Sequence, residues 1–163
     1  MWSSGDYDSW IENKVWLYIQ MELCSDNLKN IIEEKSKVFK RQSSEAMNSI
    51  EFYISFQLFR ELLECVQYIH GLNPPIIHRD LKLANILINF FPMNGHFIKL
   101  CDFGLAKEHE NSQMSHTVGI GTRKYMAPEV LNGFYDKNLY STKADVYSLG
   151  QIAQNLFDFD TNS

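Results

Sequence analysis

Four side chains in close succession could do chemistry on an anion. Asp80, Lys82 and Asn85 lie in the stretch His78-Arg79-Asp80-Leu81-Lys82-Leu83-Ala84-Asn85, and Asp102 opens a second stretch, Asp102-Phe103-Gly104. A carboxylate such as Asp80 can accept the proton of an attacking hydroxyl and aim it. Asn85 and Asp102 are oxygen donors of the kind a hard divalent cation takes. Lys82 can neutralise negative charge beside them. A third stretch, Ala127-Pro128-Glu129, follows in order. Taken alone, Asp80 would read as a helix cap or a turn carboxylate. The company it keeps argues for the chemical role.

The first stretch resembles the catalytic loop of eukaryotic protein kinases. The two triplets resemble that family's magnesium-binding triplet and the end of its activation segment. Six letters of the first stretch match, and both triplets follow in order. The resemblance implies phosphoryl transfer from ATP to a protein hydroxyl, where catalysis is mostly positioning and charge neutralisation. It makes Asp80 the proton acceptor and Lys82 the neutraliser of the transferred group. It gives Asn85 and Asp102 to magnesium. A lysine two residues after Asp80 looks like the serine/threonine branch. Leu83 stands where the family usually has proline, and Tyr147 replaces a commoner tryptophan. Neither change removes a catalytic group.

These residues need elements to hold them. Residues 14–23 are rich in β-branched and aromatic types and read as a strand. By resemblance this is the last strand of the small lobe, running into the hinge. Met21 then matches the gatekeeper behind the adenine, and Glu22 and Cys24 offer hinge backbone groups. Without that resemblance it would read as an ordinary buried strand. Ser25 or Asp26 can cap a helix carrying Leu28, Ile31 and Ile32. After a polar connector, Asn48 and Glu51 suit a capping box. The next helix carries Phe52, Phe56, Phe59, Leu62, Leu63, Val66 and Ile69 at helical spacing. That wide stripe predicts the central buried helix of a helical lobe. Gly71 can end it, and Pro74-Pro75 prevents its continuation. Cys65 reads as packing, and His70 as a helix-end residue.

Ile86-Leu87-Ile88 reads as a short strand, Asn94-Gly95 as a hairpin turn, and Phe97 to Cys101 as the returning strand. The hairpin would bring Asn85 and Asp102 together, as a shared magnesium site requires. Leu87 matches the floor of the adenine pocket. Residues 102–129 match the activation segment, with a polar middle that reads as a loop. Arg79 before Asp80 is the family's pattern for switching by phosphorylation. Ser112, Ser115 and Thr117 are the candidate acceptors, since phosphate pairs well with arginine. Thr122 matches a position that contacts the catalytic aspartate and lysine. His109 and His116 read as exposed loop residues. Ser141 starts a helix whose Asp145 matches the family's aspartate that holds the catalytic-loop backbone; it also suits a helix N-terminus.

Two local features are similar to the stress-responsive kinases that phosphorylate the alpha subunit of a translation initiation factor. One is Leu17-Tyr18-Ile19-Gln20-Met21-Glu22-Leu23-Cys24. The other is His116-Thr117 followed by Gly121-Thr122-Arg123-Lys124-Tyr125-Met126, which puts Thr117 at a phosphorylation site of that group. Met-Ala-Pro-Glu departs from the group's usual Met-Ser-Pro-Glu.

Composition sets the outer bounds. The chain has 163 residues, 45% hydrophobic and 13% aromatic, which fits one globular domain. A net charge of -5 argues against a general nucleic-acid or anionic-membrane binder. Cys24, Cys65 and Cys101 are scattered and form no CxxC pair, so a reducing compartment, the cytoplasm, is expected. No secretory leader or membrane-spanning apolar run is visible.

The expected fold class is α+β: a protein-kinase-like fold, mostly the helical large lobe, with a β-hairpin carrying the magnesium site. Residues 1–13 read as a loop or insertion tail, 14–24 as strand and hinge, and 25–163 as a truncated large lobe. No glycine-rich GxGxxG loop and no strand lysine with its glutamate partner occur, so the small lobe is expected to be largely missing. No later arginine is present to pair Glu129, and an unpaired buried charge costs on the order of 3–5 kcal/mol. A fragment of poor stability and little activity alone is therefore expected. The leading expectation is the catalytic half of an ATP- and magnesium-dependent serine/threonine kinase acting on a protein substrate. The competing one is an inactive kinase-like binding module. A nucleotide-binding protein of another fold would need a GxxxxGK[ST] loop, which is absent.

Overall fold

A computed structural model describes residues 18–42, 45–92, 95–108, 122–131 and 141–159. Two long helices form its frame: α2 (Ser49–His70) and α4 (Thr142–Leu156). A shorter helix, α1 (Leu28–Val38), lies beside them, and α3 (Pro128–Leu131) is a single turn. Strands β1 (Asp26–Asn27), β3 (Ile86–Ile88) and β4 (Ile98–Leu100) form an antiparallel sheet in the order β1-β3-β4. Strands β2 (Ile76–Ile77) and β5 (Lys107–Glu108) pair separately, on either side of the catalytic stretch in sequence.

The core gathers one face of each element. Leu28, Leu62, Val66, Leu81, Ile86, Ile98, Ile152 and Leu156 are each 2% exposed or less and pack together. Helix α2 begins as its sequence requires. The Asn48 side-chain oxygen accepts from the amides of Ile50 (3.0 Å) and Glu51 (2.9 Å). The expected capping box is only half formed, because Glu51 does not turn back to Asn48. It is fully buried and pairs with Arg41 (3.0 Å) and Lys35 (3.9 Å). Lys35 also donates to the Leu156 carbonyl (2.7 Å), and Asp158 pairs with both cations. Charge neutralisation thus won over capping at Glu51, since a buried carboxylate is costly without a cation.

The wide apolar stripe of α2 is buried on one side only. Leu62, Val66 and Ile69 face the core, whereas Phe52, Tyr53, Phe56 and Leu63 are exposed. Gly71 ends the helix in an ordinary right-handed conformation, not the left-handed one that favours glycine. The cap of α1 is Asn27, which accepts from the Asn30 amide (3.1 Å). Asp26 instead binds the Asn27 amide and the Asn30 side chain.

Two expectations need correction. Residues 18–24 form no strand; Tyr18, Ile19, Met21 and Leu23 are exposed. A strand needs a backbone-paired neighbour, and none of the described strands pairs with them. Residues 14–17 fall outside the described part. Glu129, at the start of α3, is exposed, so it carries no buried-charge penalty.

Candidate active site

Asp80 sits in a turn between β2 and β3 and is 7% exposed. Both of its carboxylate oxygens are occupied by donors. One accepts from the Thr122 amide and hydroxyl, each at 3.1 Å. The other accepts from the Lys82 ammonium (2.5 Å) and the Asn85 side-chain nitrogen (3.1 Å). Asn85 also donates to the Asp80 carbonyl (2.9 Å). With its nitrogen committed twice to Asp80, the Asn85 amide oxygen is turned the other way, where it can serve a cation.

The turn itself is held from below by Asp145, near the start of α4. Its fully buried carboxylate accepts from the backbone amides of His78 (2.9 Å) and Arg79 (3.0 Å). His70, the last residue of α2, makes a third contact with it (2.8 Å). Asp145 therefore binds the catalytic-loop backbone, as its match to the family implied. Arg79 is buried and has a positive φ of 70°, a conformation that a non-glycine residue keeps only when its surroundings hold it.

Strands β3 and β4 pair antiparallel, with Ile86 opposite Leu100 and Ile88 opposite Ile98. The Cys101 amide donates to the Asn85 carbonyl (3.0 Å), so Asp102 follows directly beyond Asn85. The hairpin does bring the two together. Its connection is longer than a two-residue turn, closing with the Asn89 amide on the Phe97 carbonyl (2.9 Å). Gly95, with φ at 75°, takes the left-handed turn position, while Asn94 lies outside the described residues. Asp102 is exposed and also left-handed, with φ at 62°. A carboxylate and an amide oxygen are donor types that a hard cation takes.

Burial pushes the Asp80 carboxyl upward, but the bonds from Lys82 and Thr122 outweigh it and hold the group below the ordinary carboxylate value. A lowered folded value means that the stabilisation is complete above the ordinary value and is lost as pH falls through the lowered one. Thr122→Val removes the hydroxyl bond. It is expected to raise the Asp80 pKa and move this acid loss to higher pH, as read by NMR titration of the carboxyl. An unchanged titration would show that Thr122 does not tune Asp80. Burial and the neighbouring Asp102 charge push the Cys101 thiol up, which keeps it protonated near neutral pH.

The remaining expected residues fare unequally. Leu87 is half-buried and pairs with Asn27 and Lys99 across the sheet. Met21 is 75% exposed, and Cys24 is half-buried. The Glu22 side chain reaches Asn89 (2.7 Å) and Lys99 (3.4 Å) on the hairpin. Ser112, Ser115, Thr117, His109 and His116 lie outside the described residues.

Two supporting residues escaped the sequence reading. His78 donates from Nε2 to the Cys101 carbonyl (3.0 Å) and packs on the Phe103 ring, which ties the Asp80 turn to the Asp102-Phe103-Gly104 stretch. Glu61 on α2 accepts from the amides of Phe97 (2.7 Å) and Ile98 (3.1 Å), fixing β4 to the helix. His78 stood in the catalytic stretch and could have been singled out. Glu61 has no local signal, because its partners are backbone amides more than thirty residues away.

Comparison with known proteins agrees with this geometry. The protein kinase domain family matches residues 6–161. Eukaryotic translation initiation factor 2-alpha kinase 3 of Bos taurus is 35% identical over 162 residues, covering 91% of this chain and 13% of that protein. The eIF-2-alpha kinase GCN2 of Schizosaccharomyces pombe is 37% identical over 153 residues, covering 83% of this chain and 8% of that protein. Serine/threonine-protein kinase 33 of Bos taurus is 37% identical over 143 residues, covering 83% and 26%. The chain thus spans a minor part of the length of these relatives. Among solved structures, the yeast RNA Pol II CTD kinase CTDK-1 complex contains a similar chain, with TM-score 0.62 and 30% identity over 84% of this chain and 38% of that one. Motifs, fold and relatives converge: this chain belongs to the protein kinase domain family, in its serine/threonine branch, and resembles the translation initiation factor 2-alpha kinases.

Proposed function

We propose that this chain supplies the catalytic loop and magnesium ligands for ATP-dependent phosphate transfer to serine or threonine hydroxyls of a protein substrate. One observation carries the proposal: Asp80 is fixed through both oxygens by Lys82, Asn85 and Thr122. The substrate hydroxyl oxygen forms the new bond to the γ-phosphorus, and the bond to ADP breaks. The hydroxyl proton passes to Asp80, and Lys82 can shift from Asp80 to the charge of the phosphate in transfer. Asn85 and Asp102 are the residues that would hold magnesium, which when bound neutralises phosphate charge.

The family resemblance further supports residues 18–24 as the hinge segment, with Met21, Glu22 and Cys24 beside the adenine and Leu87 beneath it. It supports residues 25–163 as large lobe. Arg79 and the acceptors Thr117, Ser115 and Ser112 form the proposed phosphorylation switch. Similarity to the initiation factor 2-alpha kinases favours a substrate of that class. Three free cysteines favour the cytoplasm.

The test is magnesium-dependent ATP binding by the 163-residue chain, with Asp102→Asn beside it. Saturable binding is expected, with a loss of at least about tenfold in the variant, since a charged ligand contact is worth roughly 1.5–3 kcal/mol. A folded chain without nucleotide binding would overturn the enzyme reading and leave the binding module.

A further inference from the structure

Thr122 meets Asp80 with both its amide and its hydroxyl, from forty-two positions away in sequence. It precedes a short 3-10 turn, Arg123–Tyr125, and the Tyr125 amide closes that turn on the Thr122 carbonyl (2.9 Å). Where Tyr125 is fixed, Thr122 is therefore fixed as well. The Tyr125 ring packs against the main core cluster, which includes Leu83 and Leu149. Burial pushes the Tyr125 hydroxyl pKa up, and the Leu83 N–H partly offsets this. Leu83 has that N–H to offer because it is not proline.

Helix α4 holds the other end of Tyr125. The Ser148 hydroxyl donates to the Tyr125 carbonyl (2.8 Å) and shares its proton with the Ala144 carbonyl (3.2 Å). A helical serine commonly bonds the carbonyl four residues back. Here that is the longer of the two contacts, and the shorter one leaves the helix for the turn. Ser148 is 8% exposed, so water competes little for the bond. A second tie from the turn to α4, Lys124 to Asn155 (3.1 Å), lies at the surface, where water does compete.

We infer that Ser148 is a positioning residue for Asp80. Its bond to the Tyr125 carbonyl seats the turn on α4, and the turn delivers Thr122 to the carboxylate. Asp145, three residues earlier on the same helix, holds the loop that carries Asp80. Residues three apart share a helix face, so one face of α4 places both the carboxylate and its clamp. The part this plays in phosphate transfer rests on the function proposed above; the clamp itself does not.

The test is amide hydrogen exchange at Thr122, beside Ile152 of α4, in the full chain at neutral pH. Ile152 is fully buried, so its amide reports opening of the core, whereas the Thr122 amide reports release from Asp80. Ser148→Ala is expected to speed exchange at Thr122 by about two- to tenfold more than at Ile152, the range of one net hydrogen bond. Ser148→Thr keeps the hydroxyl and should restore the parent ratio. Ser148→Cys, close in size but a weak donor, serves if the alanine variant does not fold. A Thr122-to-Ile152 ratio that the folded variants leave unchanged would mean that Ser148 only stabilises the helix, and would overturn the inference. In phosphate transfer, Ser148→Ala should lower kcat and leave ATP affinity unchanged. A chain that transfers no phosphate, while Thr122 exchange still answers to Ser148, would overturn the proposed function and uphold the clamp.

Discussion

Asp80→Asn is expected to lower phosphate transfer by about 10²- to 10⁴-fold, the usual contribution of a positioned general base. Asparagine keeps the shape, and its side-chain oxygen can still accept one donor. It cannot accept a proton at neutral pH. It also removes the charge that holds Lys82 at 2.5 Å. Asp80 is not among the proposed magnesium ligands, so ATP affinity should change little. The measurement is phosphate incorporation into a serine/threonine peptide beside ATP binding for both proteins. Equal loss of binding and transfer would instead mean that the substitution disordered the turn. Transfer at the parent rate would exclude Asp80 as the proton acceptor.

Asp145→Ala should produce the largest loss of stability, about 3–5 kcal/mol. The carboxylate is wholly buried and satisfies two backbone amides and His70. Alanine strands those amides. It also frees Arg79, whose left-handed backbone costs on the order of 1–3 kcal/mol wherever it is enforced. Typical domain stability is about 5–15 kcal/mol, so a substantial share would be lost. Urea unfolding should show a lower midpoint with an unchanged slope. A loss under about 1 kcal/mol would mean that the loop is held mainly by other contacts. Asp145→Asn should fall between, because the amide nitrogen places a donor against a donor.

What was legible in the sequence divides by range. Local signals worked: Asn48 and Ser141 cap the helices they precede, and Ile86 to Ile88 pairs with the strand ending before Asp102. Asp80, Asn85 and Thr122 were found through motif spacing, and the structure brings them within hydrogen-bonding distance. Non-local competition was invisible. Glu51 has the spacing of a capping box, yet Lys35 and Arg41 arrive from outside its helix and claim it. The β-rich residues 18–23 have strand propensity but no described neighbour to pair with, and propensity without a partner makes no sheet. The α2 stripe has helical period, but period alone does not say how many sides of a helix are covered.

Glu61 has a consequence for how the chain can vary. By accepting two adjacent amides of the returning strand, it sets the strand's register from the helix. A slip of one residue would turn every side chain of that strand to the opposite face. With the register fixed from outside, the connection over residues 89–97 need not enforce it. Loop closure costs little more as a connection lengthens, about 0.6 kcal/mol per doubling. Residues can therefore be inserted there while Asp102 keeps its place beside Asn85. The placement of the two proposed metal ligands rests on the β3–β4 pairing and its anchor on α2 more than on the turn that joins them in sequence.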